Sequence, residues 1–587
     1  MTAVAVPDVR APRRTQGGTT VTRGVLDVLA AWGVQRIYCC PGSTEAAMLD
    51  SLVTRSDLEL VLVTHESVAV AMAEGDARAT GRPAVAYLHT NVGMANGLAH
   101  LSSAQLSSAP VLVLNGLKAS TLAGRGAFTT LAHPRDMVRQ HVKWAHTCAA
   151  ADLVVDDVDR ALHAAIAEPA GPVWLGLPQD LLETEAPVPS PPARRAAGSG
   201  LTRPAPDAVA AAAVLLAGAQ RPVLVAGGEI ARRRATAEVL TLAERLGAPV
   251  FTDGRRDFQA STVPTDHPLA AGLYDPAHPA VRDADVVAFL GSRVFTEFEA
   301  GGTDELPAAA RLVHLHPDAA EVGRLHPVDA PLVGDPVLAL ADLLAALPAD
   351  VGRRRPAAVS AGESASRPAA ERFPGHVGLG PVVAALADAV AAADATVVLD
   401  ATTATVPLLR GLRTTRPAQL LSSVSGSLGW GMGAALGVAM AEPAHRVVCL
   451  LGDGSFQFGL PALWTAAADK VPVTFVVLNN RTYSAVASAL SRFGGAAAEQ
   501  DRWPGTDITG LDIAAAARAF GVPAERVDRV ADLPRALAQA LAGPGPAVVE
   551  VLTGPASPPT QPPSAQSPST PTAADPAAAP EGGGQAW

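Results

Sequence analysis

The 587-residue chain is poor in aromatic residues (4%), in charged residues (17%) and in cysteine (four), and it has only three lysines, Lys118, Lys143 and Lys470. Each scarcity excludes something. An average soluble protein carries roughly 25% charged residues, and here 45 Lys+Arg against 56 Asp+Glu leave a net charge of −11 with no polybasic arm. Neither nucleic acid nor a membrane surface is therefore expected as a partner. Cys39, Cys40, Cys148 and Cys449 form no CxxC pair and no metal-ligand spacing. That excludes a disulfide scaffold and a zinc ribbon, and it fits a reducing, cytoplasmic setting. No apolar run reaches the roughly 18 residues of a membrane span. The N-terminal segment carries Arg10, Arg13 and Arg14 without the apolar core of a signal peptide. What the chain has in quantity is small apolar side chains, within a hydrophobic share of 49%.

Composition divides the chain. Residues 1–19 read as a disordered tail, and 555–587, dominated by Pro, Ala, Ser, Thr and Gly, as another. Residues 185–205 and 350–374 are rich in Pro, Arg, Ser and Ala without apolar periodicity, as linkers are. Three segments remain, 20–185, 206–349 and 375–554. In each, short β-branched runs such as LELVLVTH (58–65), DVVAFLG and RVVCLLGD (446–453) alternate with helix-length stretches. The rhythm predicts three consecutive α/β domains with parallel sheets, and LGWGMGAALGVAM as a closely packed small-residue helix.

In open parallel sheets ligands sit beyond the carboxyl ends of strands. Gly452, Asp453, Gly454 and Ser455 end one predicted strand, where glycines let backbone N–H groups approach a phosphate and the following helix offers its positive end. A lone GDGS is a weak signal. After 24 intervening residues, however, a second strand ends in Asn479-Asn480. A carboxylate, an amide oxygen and backbone carbonyls at adjacent strand ends, together with diphosphate oxygens, suit octahedral Mg²⁺. Two unrelated turns are the competing reading.

The GDG, 24-residue, NN pattern resembles the diphosphate motif of thiamin-diphosphate-dependent enzymes, and the resemblance covers roughly residues 20–553. It implies thiamin diphosphate and Mg²⁺ as cofactors, with pyrimidine-binding, central and diphosphate-binding domains in that order. By the same resemblance Asp453, Asn480 and the Thr482 carbonyl are metal ligands. Thr402, Thr403, Gly452, Gly454, Ser455 and Tyr483 line the cofactor, Leu428 holds it bent, and Gly426 touches its aminopyrimidine. Glu66 matches the glutamate that bonds the pyrimidine and promotes formation of the C2 ylid, a role that suits a carboxyl at a strand end facing an apolar cavity. The cofactor lies between subunits in this family, so a homodimer or homotetramer is implied.

Within the superfamily the sequence is most similar to benzoylformate decarboxylase-like enzymes. PGSTEA (41–46) places Ser43 on that group's active-site serine, LHT (88–90) places His89 on one catalytic histidine, and VPTDHP (263–268) places His267 on a second. Histidines suit proton delivery near neutral pH. The resemblance implies non-oxidative decarboxylation of a 2-oxo acid through an enamine. A carboligase, an aldehyde lyase or an acetolactate synthase-like enzyme would use the same enamine, and a catalytically silent paralogue would be expected to lose Glu66, Asp453 or Asn480. Ser422 and Ala489 fall where the benzoylformate enzyme has aromatic walls, which implies a wider, more polar pocket. GSRVF (291–295) in place of an arginine-rich flavin signature, and Thr129 in place of a glutamine, argue against FAD. His314, His316 and His326, like Cys39 and Cys40, read as structural residues.

Overall fold

The computed structural model describes residues 19–186, 201–254, 258–295, 306–349, 351 and 377–554. The N-terminal tail up to residue 18, the tail from 555 and most of both linkers lie outside the described residues. Three six-stranded parallel sheets follow one another along the chain, giving the expected three α/β domains.

The first sheet comprises β1 (Arg36–Cys40), β2 (Glu59–Leu62), β3 (Ala84–His89), β4 (Val111–Leu117), β5 (Trp144–Thr147) and β6 (Val173–Pro178), in the spatial order β2-β1-β3-β4-β6-β5. A two-residue antiparallel ribbon pairs Thr19 with Ala186, closing this domain on itself one residue beyond each expected boundary. The central sheet holds β7 (Pro222–Ala226), β8 (Val250–Thr252), β9 (Ala270–Leu273), β10 (Val286–Leu290), β11 (Arg311–His316) and β12 (Ala330–Val333), ordered β9-β8-β7-β10-β11-β12. The third has β13 (Thr396–Asp400), β14 (Leu420–Ser422), β15 (Val447–Gly452), β16 (Val473–Asn479), β17 (Ala524–Val527) and β18 (Ala547–Leu552), ordered β14-β13-β15-β16-β18-β17. The inner strands are buried along almost their whole length. Helices cover both faces, which is why these strands read as continuous apolar runs rather than alternating ones.

Two helices join the first and third domains. Helix α1 (Glu66–Thr80) starts at His65, whose Nδ1 accepts the Ser67 N–H at 3.2 Å, and stops at Gly81 in the left-handed region, φ +69°. Helix α2 (Thr90–Leu106) follows β3. Helix α3 (Trp430–Ala441) is apolar all round and buried over most of its length, so it needs a partner on every side. Its Gly433 lies where a Cβ would stand 2.7 Å from Ala71 Cβ, and Cβ atoms on Gly437 and Gly75 would overlap the backbone of the facing helix. Missing Cβ atoms thus let α1 and α3 approach backbone to backbone.

A buried polar group pins this junction to the central domain. Trp430 Nε1 donates to Glu74 Oε2 at 2.7 Å, and Arg78 pairs with Glu74 at 3.4 Å. Arg78 also donates to the carbonyls of Ser422 (3.0 Å) and Gln259, so all three domains meet on one guanidinium.

Candidate active site

The parallel register of β15 and β16 sets Gly452 opposite Leu478, so the GDGS turn and the asparagine pair emerge side by side. Helix α4 (Asp453–Gly459) begins at once after β15. Asp453 Oδ1 accepts the Gly454 N–H at 2.8 Å, and Oδ2 accepts the Arg481 N–H at 2.6 Å. Burial pushes this carboxyl up from its ordinary range, against the backbone N–H groups that hold it down. Asn480 Oδ1 accepts the Thr482 N–H at 3.0 Å while Nδ2 donates to Ser484 Oγ at 2.7 Å. The Tyr483 ring lies over Gly454, where a Cβ would come within 2.7 Å of it, and Tyr483 N–H and Thr482 Oγ1 both bond the Thr506 carbonyl. The other asparagine, Asn479, faces inward and donates to buried Glu550.

Across this turn stand Thr402 and Thr403, both exposed. Thr402 Oγ1 is 4.0 Å from where a Gly452 Cβ would be. Thr402 and Arg481 hold φ +43° and +58°, conformations disfavoured for side chains with a Cβ, so strain is concentrated on this rim. Behind it, fully buried Asp400 accepts the N–H groups of Gly429 (2.9 Å) and Gly431 (3.1 Å) and the Ser455 hydroxyl (3.3 Å). It thereby ties the 426–429 loop, which carries exposed Gly426 and half-buried Leu428, to the GDGS helix. Burial raises the Asp400 pKa to about 7.

Among the described residues no cationic side chain pairs with Asp453, and no group of three or more His, Cys, Asp or Glu side chains forms a metal cluster. A buried carboxylate without a countercharge is costly. Asp453, the Asn480 amide oxygen and the Thr482 carbonyl, each keeping lone pairs beyond its present bonds, form a donor set of the kind that takes Mg²⁺ in company with ligand phosphates.

A second cluster occupies the carboxyl ends of the first sheet. Half-buried Glu66 heads α1; its Oε2 accepts from Asn96 Nδ2 at 3.0 Å, and a Cβ on Gly93 would stand 2.9 Å from Oε1. Burial, and then the Glu66 carboxylate, push the Cys40 thiol up to about 12. His89 ends β3 beside the turn that carries Ser43, and Lys118 Nζ lies 3.5 Å from Ser43 Oγ. The next residue, Thr90, is buried at φ +45°, and its carbonyl accepts from Asn115 Nδ2 at 2.9 Å. A strained, anchored residue therefore aims His89.

The structure thus groups Ser43, Glu66 and His89 at one sheet end and Thr402, Thr403, Gly426, Leu428, Gly452, Asp453, Gly454, Ser455, Asn480, Thr482 and Tyr483 at another. No hydrogen bond or ion pair among the described residues joins Glu66 or His89 to the Asp453 loop. His267 lies on a turn of the central domain. Its Nδ1 accepts the Leu269 N–H at 3.2 Å and its Nε2 lies 3.6 Å from Glu244, and among the described residues no hydrogen bond links it to either cluster. Ser422, expected where the benzoylformate enzyme has an aromatic wall, is buried with its carbonyl on Arg78.

Several residues went unseen in the sequence. Asp400 and Cys40 look like ordinary strand ends, and Asn96 lies mid-helix. His100 bonds the Ser67 carbonyl at 2.8 Å and faces that of Leu428, with burial lowering its pKa. Only Glu45 had a local signal, an acidic residue three positions after Gly42 whose carboxylate can bond that N–H.

Family models for the thiamine pyrophosphate enzyme match all three domains: the N-terminal TPP binding domain over residues 19–137, the central domain over 209–343 and the C-terminal TPP binding domain over 400–551. The chain is 32% identical to the benzoylformate decarboxylase of Pseudomonas aeruginosa over 540 residues, 91% of this chain and 99% of that one. It is 30% identical to the acetolactate synthase large subunit of Parasynechococcus marenigrum over 572 residues, 94% of this chain and 89% of that one. Among solved structures, the thiamine diphosphate-dependent 4-hydroxybenzoylformate decarboxylase of Rhodococcus jostii RHA1 superposes with a TM-score of 0.81 at 27% identity, covering 91% of this chain and 99% of that one. The benzoylformate decarboxylase of Polynucleobacter necessarius gives 0.80 at 26%, covering 91% and 98%.

Proposed function

The chain belongs to the thiamine pyrophosphate enzyme family, and from that premise we propose that it decarboxylates a 2-oxo acid non-oxidatively, using thiamin diphosphate and Mg²⁺. The bound cofactor supplies the nucleophilic carbon and the electron sink for loss of CO₂. Asp453, Asn480 and the Thr482 carbonyl hold the metal, and Thr402, Thr403, Gly454 and Ser455 receive the diphosphate at the positive start of α4. Glu66 holds a proton at the pyrimidine, its Oε2 held by the Asn96 amide. Ser43 orients the substrate carboxylate, and His89 carries a proton to the carbon that has lost CO₂.

The observation that carries the decarboxylase reading is His89, an imidazole 20% exposed at the same sheet end as Glu66 and Ser43. A ligase needs an aldehyde at the carbon where this ring brings a proton. Exposed Phe128 (86%), Phe458 (59%) and Phe493 (85%) support association with a second copy of the chain. At the switch point of the central sheet, Gln259 and Ser292 pack against Gly228 and Gly227, which supports the absence of FAD. Among the described residues no helix is long and apolar enough to cross a membrane.

CO₂ release over a panel of 2-oxo acids, with and without added aldehyde, tests the proposal. Stoichiometric CO₂ and aldehyde is the expected result. Acyloin formation without net aldehyde release would favour the carboligase instead.

A further inference from the structure

Glu45 is a carboxylate with no exposed surface, on a short turn directly beneath His89. Its Oε2 accepts the Gly42 N–H at 2.6 Å and faces His89 Nδ1 at 2.9 Å, and its Oε1 accepts the Thr44 hydroxyl at 2.5 Å. The same Thr44 hydroxyl oxygen lies 3.0 Å from His89 Nδ1. Among the described residues no lysine or arginine pairs with Glu45, so His89 is the one ionisable base bonded to it. Two glycines make the arrangement possible. A Cβ on Gly116 would overlap Glu45 Oε1, and a Cβ on Gly42 would overlap the His89 ring. The backbone has been cleared on both sides of the pair.

From this geometry we infer that Glu45 is the positioning residue for His89: its carboxylate takes the Nδ1–H, fixes the tautomer and leaves Nε2 as the nitrogen that exchanges protons at the site. The second shell of a catalytic or metal-bound histidine works this way elsewhere, because a bond at one ring nitrogen determines the state of the other. The carboxylate also faces the ring as countercharge whenever Nε2 gains a proton. No atom is consumed; the proton arrives at Nε2 from solvent and leaves to the substrate carbon, while Nδ1–H stays on Glu45.

A purely structural reading is at hand, since Glu45 Oε2 caps the Gly42 N–H at the start of the turn. The two readings differ in what a neutral amide does. In Glu45→Gln the side-chain carbonyl still accepts the Gly42 N–H, so the cap and the fold survive, whereas the charge facing Nδ1 is gone.

The inference rests on the reading of His89 as a proton carrier, and two measurements separate them. In cofactor-free protein labelled with ¹⁵N-histidine, His89 (identified by loss of its signals in His89→Gln) should show an Nδ1–H tautomer with a low-field proton, and Glu45→Gln should abolish that signature. In the holoenzyme, Glu45→Gln should lower kcat by about 10²-fold or more with KM nearly unchanged. Glu45→Asp should recover part of the loss, and Glu45→Gln combined with His89→Ala should cost no more than His89→Ala alone. Gly116→Ala, which displaces the carboxylate by bulk, should reproduce the spectral change. An unaltered His89 signature in Glu45→Gln, or additive losses in the double variant, overturns the inference with the role of His89 intact. Full turnover by His89→Ala overturns that role and the purpose assigned to Glu45 with it.

Discussion

The first and third domains share one strand order: β2-β1-β3-β4-β6-β5 has the same sequence of crossovers as β14-β13-β15-β16-β18-β17. They also lean on each other through equivalent-looking helices, α1 and α3. Yet their carboxyl ends do opposite things. Where β15 stops, Gly452 and Gly454 keep the backbone bare, α4 offers its N–H groups, and the single carboxylate, Asp453, has no cationic partner. Where β3 stops, strained Thr90 opens α2 instead, and the space is occupied by the His89 ring and the Glu45 carboxylate. Under the proposed function, one end receives an anion with its metal and the other holds protons. Topology places strand ends; the few side chains at those ends determine the chemistry.

If that division of labour is right, disabling either end should fail differently. Asp453→Ala should have the largest effect, abolishing binding of thiamin diphosphate and Mg²⁺ together, because the ion links protein to diphosphate; titration calorimetry that still finds tight, chelator-resistant binding would remove the proposed metal site. Glu66→Gln should bind the cofactor almost normally and lose about 10²- to 10⁴-fold in turnover, with slowed exchange of the cofactor C2 proton measured by NMR. His89→Ala should lose a comparable or smaller factor in kcat while cofactor affinity stays unchanged.

A smaller effect sharpens the comparison from the stability side. Asp400 is an acid whose pKa in the folded protein, about 7, lies above its unfolded value, and burial is the cause. The folded state therefore binds the proton more tightly. The stability this provides is complete at pH below the ordinary aspartate range and is lost as pH rises toward 7, by about 4 kcal/mol at most. Thermal melts of the cofactor-free protein should show that decline between pH 4 and 7, and Asp400→Asn should flatten it. First-domain substitutions such as Glu66→Gln should leave the slope in place. Least of all should change in His267→Ala, whose ring serves a local turn: turnover within about twofold and a stability change within about 0.5 kcal/mol. A loss on the scale of His89→Ala would put His267 back in the site.

Much of this was legible in the residue order. Alternating β-branched and helical stretches predicted all three sheets, and the small-residue stretch 428–440 predicted a tightly packed helix, which α3 is. Asp453 and Asn480 sit at the ends of neighbouring strands because the 24 residues between the GDG and NN motifs are one crossover, so their meeting was implied by spacing. Short-range patterns report such features because strand ends and turns are determined within a few residues.

A histidine before proline, such as His267, carries no information in the sequence about which way its ring turns; the structure sets its Nδ1 on the Leu269 N–H. The pairing of Glu45 with His89, Asp400 and the Arg78 junction were out of reach: each joins segments far apart in the chain, and their partners become neighbours only after the sheets have formed and packed. The sequence alone determined the three-sheet architecture and the residue types at the strand ends, because periodicity and turn chemistry act locally. Tertiary structure alone decided which carboxylates are buried, which histidine is aimed and by whom, because burial and hydrogen bonding depend on atoms brought together across domains.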